Sequence, residues 1–280
     1  MRAALIALML AGVTAAGVAG VATSQPDQFG GGGGQGRQRQ RGFDQAPMLD
    51  VQGNTPYDGR FVFIRLRYNT GFGGFGGRRG GGPQWSHDYP RGEVHFTKIL
   101  NEITYLKARP DGSNILSLDD PELFKFPVAY MAEPGFWSMT DKEVESFRAY
   151  LQKGGFVIFD DFREPEGHWD NLQAQMRRVL PDARWIEIDD GSHPVWHSFF
   201  EIADPLALTA HPTYAGMGLR LTYWGVFEDN DPSKRLIAIA NVDGDISEYW
   251  EYSDTGFAPV DLNNEAYKYG VNYVIYGVTH

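Results

Sequence analysis

Gly154-Gly155-Phe156-Val157-Ile158-Phe159-Asp160-Asp161 is the stretch on which the fold turns. Two glycines stop a helix, four apolar residues follow without a break, and two carboxylates close the run. A strand that is apolar at every position has both faces covered, as in the middle of a parallel sheet. The flanking sequence supplies the covering helices. Upstream, Thr140 and Glu143 form a capping box, and Val144, Phe147 and Leu151 lie on one helical face. Before that helix, Phe126 to Met131 reads as another apolar strand, stopped by Pro134-Gly135. Downstream, Leu172, Met176, Val179 and Leu180 mark a helix that ends at Pro181, and Trp185 to Ile188 returns to strand.

The alternation extends to both ends. Phe61 to Arg67 opens with a β run, and Pro90 suits a first helical position. Phe96, Ile99, Leu100, Ile103 and Leu106 follow at helical spacing, and Ile115 to Leu118 makes a short strand. Leu219 to Phe227 and Leu236 to Val242 predict two strands joined by the turn-rich Asp229-Asn230-Asp231-Pro232, and Asn264 to Val278 predicts a closing helix. Successive β-α-β units imply right-handed crossovers. The expectation is one α/β domain over 57–280, a doubly wound, mostly parallel sheet of about six strands with a late edge hairpin.

The first 24 residues read as a signal peptide: Arg2, then an apolar, small-residue run from Ala3 to Val21 and a small-residue cleavage zone. A membrane anchor is the competing reading, weakened by the Ala/Gly-rich run and the lack of stop-transfer charge. No stable membrane span is expected after cleavage. The expected location is outside the cytoplasm, periplasmic or extracellular. The chain has no cysteine, which excludes disulfides and a lipidated cysteine. Residues 25–56, rich in Gly, Gln and Arg, predict a disordered tether. A second Gly-rich run, 71–82, predicts a surface loop placed to act as a lid; its Arg78-Arg79 pair carries too little charge for an RGG-like nucleic-acid or polyanion contact. Net charge is −11, and the arginines of the first 42 residues make the rest more acidic still. An acidic body repels phosphate backbones, so no nucleic-acid partner is expected.

In open α/β sheets ligands bind beyond the carboxyl ends of the strands. Those ends carry Arg67 and Tyr68, Glu133, Asp160 and Asp161, Asp189 and Asp190, and Asp243 and Asp245. An aspartate in that place is an ordinary helix cap. Asp160-Asp161 stands apart, because one of two neighbouring side chains suffices for one cap. The pair is the first candidate for catalysis. Asp88, Tyr89, Asp160, Asp161 and Arg67 are the candidate ligand-binding residues. A divalent cation is one option for the site, through Asp160 and Asp161 with His87, His168 or His193; no other cofactor is expected. Trp85 and Trp169 are placed to flank the crevice. His193 and His197 are four apart, but Pro194 between them breaks a zinc helix. There is no Gly-x-Ser-x-Gly elbow, no phosphate loop and no dinucleotide fingerprint.

These pieces resemble the bacterial domain-of-unknown-function family 4159. The resemblance rests on Phe61 to Arg67, on Trp85-Ser86-His87-Asp88-Tyr89-Pro90 and on Gly154 to Asp161. It continues through His193-Pro194, Asp245-Ile246-Ser247-Glu248-Tyr249-Trp250-Glu251 and Tyr269-Gly270-Val271-Asn272-Tyr273. It spans nearly all of 57–280 and implies a class I glutamine amidotransferase-like, flavodoxin-like sheet. In that fold the strand here ending in Asp160-Asp161 leads to the catalytic cysteine, so amidotransferase chemistry is out of reach. The resemblance implies no established activity. Two functions follow as expectations. One is a non-catalytic envelope module whose acidic crevice holds a small ligand or an envelope protein. The other is a metal-dependent or acid/base hydrolase acting on carbohydrate or cell-wall material.

Overall fold

A computed structural model describes residues 53–70, 82–110, 113–210 and 212–280. The expected signal peptide, most of the tether and nearly all of the Gly-rich loop lie outside the described residues. The strands are β1 (Phe63–Arg67), β2 (Asn69–Thr70), β3 (Ser113–Ser117), β4 (Val128–Ala132), β5 (Trp137–Ser138), β6 (Phe156–Phe162), β7 (Trp185–Glu187), β8 (Thr222–Phe227) and β9 (Leu236–Val242). The helices are α1 (Arg91–Ile103), α2 (Asp141–Gln152), α3 (His168–Val179), α4 (Pro212–Ala215), α5 (Ile246–Glu251) and α6 (Val260–Thr279).

The main sheet has seven strands in the order β3-β1-β4-β6-β9-β8-β7. The first five are parallel; β8 runs antiparallel to β9, and β7 antiparallel to β8. The parallel part has the doubly wound, flavodoxin-like order, with its reversal between β1 and β4. As its composition requires, β6 is buried along its whole length. One face packs under α2 and α3 through Phe147, Leu151, Leu172 and Met176. The other packs under α1, α5 and α6 through Phe96, Trp250, Tyr269 and Tyr273. β8 and β9 are the expected hairpin; β9 joins the parallel strands, and short β7 is the outer strand. At the opposite edge the Asn54 side chain bonds both backbone groups of Ile115, and Asn114 bonds both of Thr55. This covers an edge that would otherwise offer open hydrogen-bonding groups. Among the described residues, no helix is long and apolar enough to cross a membrane.

Two local features explain how the helices are seated. The Thr140–Glu143 capping box is formed, with the Glu143 carboxylate accepting from Thr140 N–H at 2.8 Å. Gly270 lets α6 approach α1 and α5: a Cβ there would lie 2.5 Å from Trp250 Cζ2 and 2.6 Å from Phe96 Cε2. Gly270→Ala improves helix propensity by about 1 kcal/mol but overpacks this contact by about 1–3 kcal/mol. The expected result is a lower unfolding free energy in urea; a gain in stability would contradict the packing described.

Candidate metal centre

The site is built at the carboxyl ends of β1, β4, β6 and β9, on both sides of the reversal in strand order. Arg65, on β1, is fully buried; its Nε pairs with Glu93 Oε1 of α1 and its Nη1 donates to Trp85 O at 2.9 Å. That bond fixes the 3-10 turn Gln84–Ser86, and the chain leaving the turn delivers His87 and Asp88. Glu133 follows β4, Asp161 lies in β6, and Asp245 caps α5 by accepting from Glu248 N–H at 3.0 Å. Asp88, Glu133 and Asp161 all have left-handed backbones, with φ of 62°, 47° and 58°. Non-glycine residues rarely adopt this region, and strain of this kind gathers at functional sites. At Asp161 it accompanies a register shift in the β6–β9 pairing between Phe159 and Phe162.

His87 stands at the centre. Its Nδ1 contacts Asp161 Oδ2 and lies 3.8 Å from Glu133 Oε1. Its Nε2 lies 3.2 Å from Asp88 Oδ1 and 3.6 Å from Glu248 Oε2. Tyr214 holds Asp161 by donating its hydroxyl to Oδ1. One ligand atom from each of His87, Asp88, Asp245 and Glu248 falls in a group no more than 4.8 Å across, and His87, Glu133 and Asp161 make a second such group. Opposed ligands of a divalent ion lie about 4–5 Å apart, twice the metal–ligand distance. The first group therefore has the spacing of a divalent-ion ligand set.

The two groups are not equivalent. When a histidine binds a metal through one nitrogen, the other usually donates to a carboxylate that sets the tautomer. Asp161, oriented by Tyr214, occupies that place at Nδ1. It leaves the Nε2 lone pair facing Asp88, Asp245 and Glu248. Asp88 is tied back by Ser247, whose hydroxyl donates to Oδ2 at 2.5 Å.

The electrostatics point the same way. Among the described residues, no lysine or arginine pairs with Asp88, Asp245, Glu248 or Glu251. Burial, and then the charges of Asp161 and Asp88, push Asp245 well above the usual carboxylate range. Burial and the Asp88 charge raise Glu248 to about 8 and Glu251 to about 7. A carboxylate whose pKa rises on folding stabilises the protein below its unfolded pKa, and that stability is lost as pH rises through the folded value. His193 acts oppositely, its pKa lowered to about 4, but its contribution is complete above 6.5. Between pH 6.5 and 8, Glu248, Glu251 and Asp245 therefore all lower stability as pH rises. Chelator-treated protein should lose about 2 kcal/mol over that interval, a fall in Tm of about 4–8 °C. A melt flat from pH 6.5 to 8 would contradict the protonated cluster.

The sequence candidates separate in space. Asp160 is sealed, accepting from Tyr130 Oη (2.9 Å), Asn241 Nδ2 (3.0 Å), Ile246 N–H (3.0 Å) and Ser247 N–H (3.2 Å). Burial raises it to about 6, and its role is to tie β6 to β9 and to the start of α5. Asp161 and Asp88 meet at His87. Arg67 is exposed at the end of β1, and Arg65 is the arginine that supports the site. Tyr89 is buried in the core. His168 accepts from Arg163 N–H and packs on Phe136; His193 caps the turn Pro194–His197 by accepting from Val195 N–H and packs on Phe227 and Tyr276. Neither joins the His87 groups. Trp169 lies on α3 and lines a different cleft. Glu248 and Glu251 escaped the sequence reading. Asp245-x-x-Glu248 has capping-box spacing, and a helix start explains it without a ligand.

The expected open crevice is instead nearly closed. The His87 and Glu248 side chains keep 11% and 16% of their surface, and those of Asp88, Glu133 and Asp161 5% or less. The ligating side chains are thus largely withdrawn from solvent. No curated protein matches this sequence. The sequence profile of one family does, over residues 62–278, and it takes in every residue of the centre. The chain belongs to that family, described as a domain of unknown function (DUF4159).

Proposed function

We propose that this protein is an exported α/β module that binds one divalent cation. His87 Nε2, Asp88, Asp245 and Glu248 hold the ion, and Asp161 orients the imidazole. The observation that carries the reading is the set of four ligand atoms within 4.8 Å of one another, drawn from two distant chain segments. One imidazole with several carboxylates suits Mn²⁺, Fe²⁺ or Zn²⁺ better than an all-oxygen ion such as Ca²⁺. The apolar leader over 1–24 supports work outside the cytoplasm, where the ion would lock the ends of β9 and α5 to the His87 segment. The test is metal analysis of protein purified without chelator, followed by calorimetric titration of the stripped protein with Mn²⁺ and Zn²⁺. One ion per chain is expected. No binding by wild-type protein at millimolar metal would overturn the reading.

Glu251 favours a second reading, metal-assisted hydrolysis of carbohydrate or cell-wall material. It is half-buried beside Asp88 with a pKa near 7, suited to general acid/base work at neutral pH. Under that reading Glu251→Gln retains the metal and loses turnover of a cell-wall polysaccharide by about 10²-fold or more. Absence of turnover by the metal-loaded wild type returns the assignment to binding alone.

A further inference from the structure

Three tryptophans meet at the outer end of the sheet, away from the His87 centre. Trp169 comes from α3, Trp185 from β7 and Trp224 from β8. Their rings are mutually tilted, with Trp169 5.0 Å from Trp185 and 5.8 Å from Trp224 between centroids. They line a cleft of about 310 Å³ together with Gln173, Arg177 and Arg184, at the lower end of the size range of small-ligand sites. All three indoles are half-buried, so part of each ring faces solvent.

The polar lining is unusual for this chain. The sequence carries 36 acidic residues against 25 lysines and arginines, yet among the described residues no carboxylate lines this cleft. Arg177 and Arg184 are exposed, and among the described residues neither guanidinium has an ion-pair partner. Most other arginines of the domain are spent on structure. Arg148 and Arg235, for example, donate to main-chain carbonyls at helix and strand ends. Trp224 Nε1 reaches Thr222 Oγ1 at 3.3 Å, whereas the indole N–H groups of Trp169 and Trp185 have no acceptor among the described residues. The cleft thus offers flat apolar faces, open N–H donors and two planar cations.

We infer that the cleft is a binding site for an acidic carbohydrate, a chain of pyranose rings bearing carboxylates. The aromatic faces pack against the C–H faces of the sugar rings while the indole N–H groups reach hydroxyls. Arg177 and Arg184 pair with the carboxylates, a geometry the guanidinium fork matches. A neutral sugar leaves both charges unused, and a cationic one is repelled.

The test is titration of the full chain with tetragalacturonate and with neutral cellotetraose, followed by tryptophan fluorescence and calorimetry. Saturable binding of the acidic oligosaccharide is expected, about tenfold or more tighter than the neutral one and weakened by added salt. Arg177→Gln/Arg184→Gln should lose that preference, and Trp185→Ala should lose binding. The arginine pair is solvent-exposed, so its variant keeps the test valid if Trp185→Ala fails to fold. His87→Ala should bind the oligosaccharide like wild type, which separates this site from the cation centre. No saturable binding at millimolar tetragalacturonate, equal affinity for the neutral chain, or an unaffected arginine variant would each overturn the inference.

Discussion

His87→Ala is expected to abolish the thermal stabilisation that Mn²⁺ gives the wild-type protein. An ion present at about 100 times its Kd stabilises the folded state by about 2.7 kcal/mol. For a domain of this size that raises Tm by about 5–10 °C. His87 supplies the one nitrogen of the set and faces both halves of it, so its loss removes a ligand and the organiser of the rest. Asp161→Asn should act more mildly, weakening the ion about 10–100-fold, as removal of an orienting partner does. The two variants rank the roles: His87 holds the ion and Asp161 aims His87. A wild-type-sized shift in His87→Ala, read by scanning calorimetry, would show that the ion sits elsewhere.

The largest loss of stability is expected at Asp160, not at the residues of the centre. Asp160→Ala would strand three buried donors at once, Asn241 Nδ2 and the Ile246 and Ser247 N–H groups, while Tyr130 Oη keeps Ser247 Oγ at 2.7 Å. Each stranded buried group costs about 1–3 kcal/mol, so a total of about 4 kcal/mol or more is expected after partial relaxation. Asp160→Asn keeps the shape and one acceptor oxygen and should cost roughly half as much. Urea unfolding of the three proteins measures both. Near-wild-type stability for Asp160→Ala would show that the network contributes little. Lost metal binding in a well-folded Asp160→Ala would place Asp160 among the ligands.

The contrast between these neighbours shows what the sequence could disclose. The apolar run from Phe156 to Phe159 announces a covered central strand, and Asp160-Asp161 at its exit is visible as an anomaly. What the residue types do not disclose is that the chain shifts register and turns left-handed at Asp161. That shift sends one carboxylate into the core network and the other to His87. His87 and Asp88 were legible as candidates because they precede a helix near a strand end. Their partners Asp245 and Glu248 lie about 160 residues away and look like a helix cap, which Asp245 also is. His168 and His193 show the reverse error. Their residue type suits a metal, but their rings are spent on backbone caps and aromatic packing. Arg65 could have been preferred over Arg67, since an arginine inside an apolar β run needs a buried partner; Glu93 is that partner. The helices of the parallel core were readable because their periodicity is local. The meeting of α5 with the His87 segment was not, because it depends on strand order.

An anomalous difference map from crystals grown with Mn²⁺ tests the central claim most directly. One strong peak is expected within about 2.0–2.3 Å of His87 Nε2 and of carboxylate oxygens from Asp88, Asp245 and Glu248, with Asp161 on Nδ1 and no direct contact to the ion. A peak on surface carboxylates alone, or none at the His87 centre with millimolar Mn²⁺ in the crystal, would contradict it.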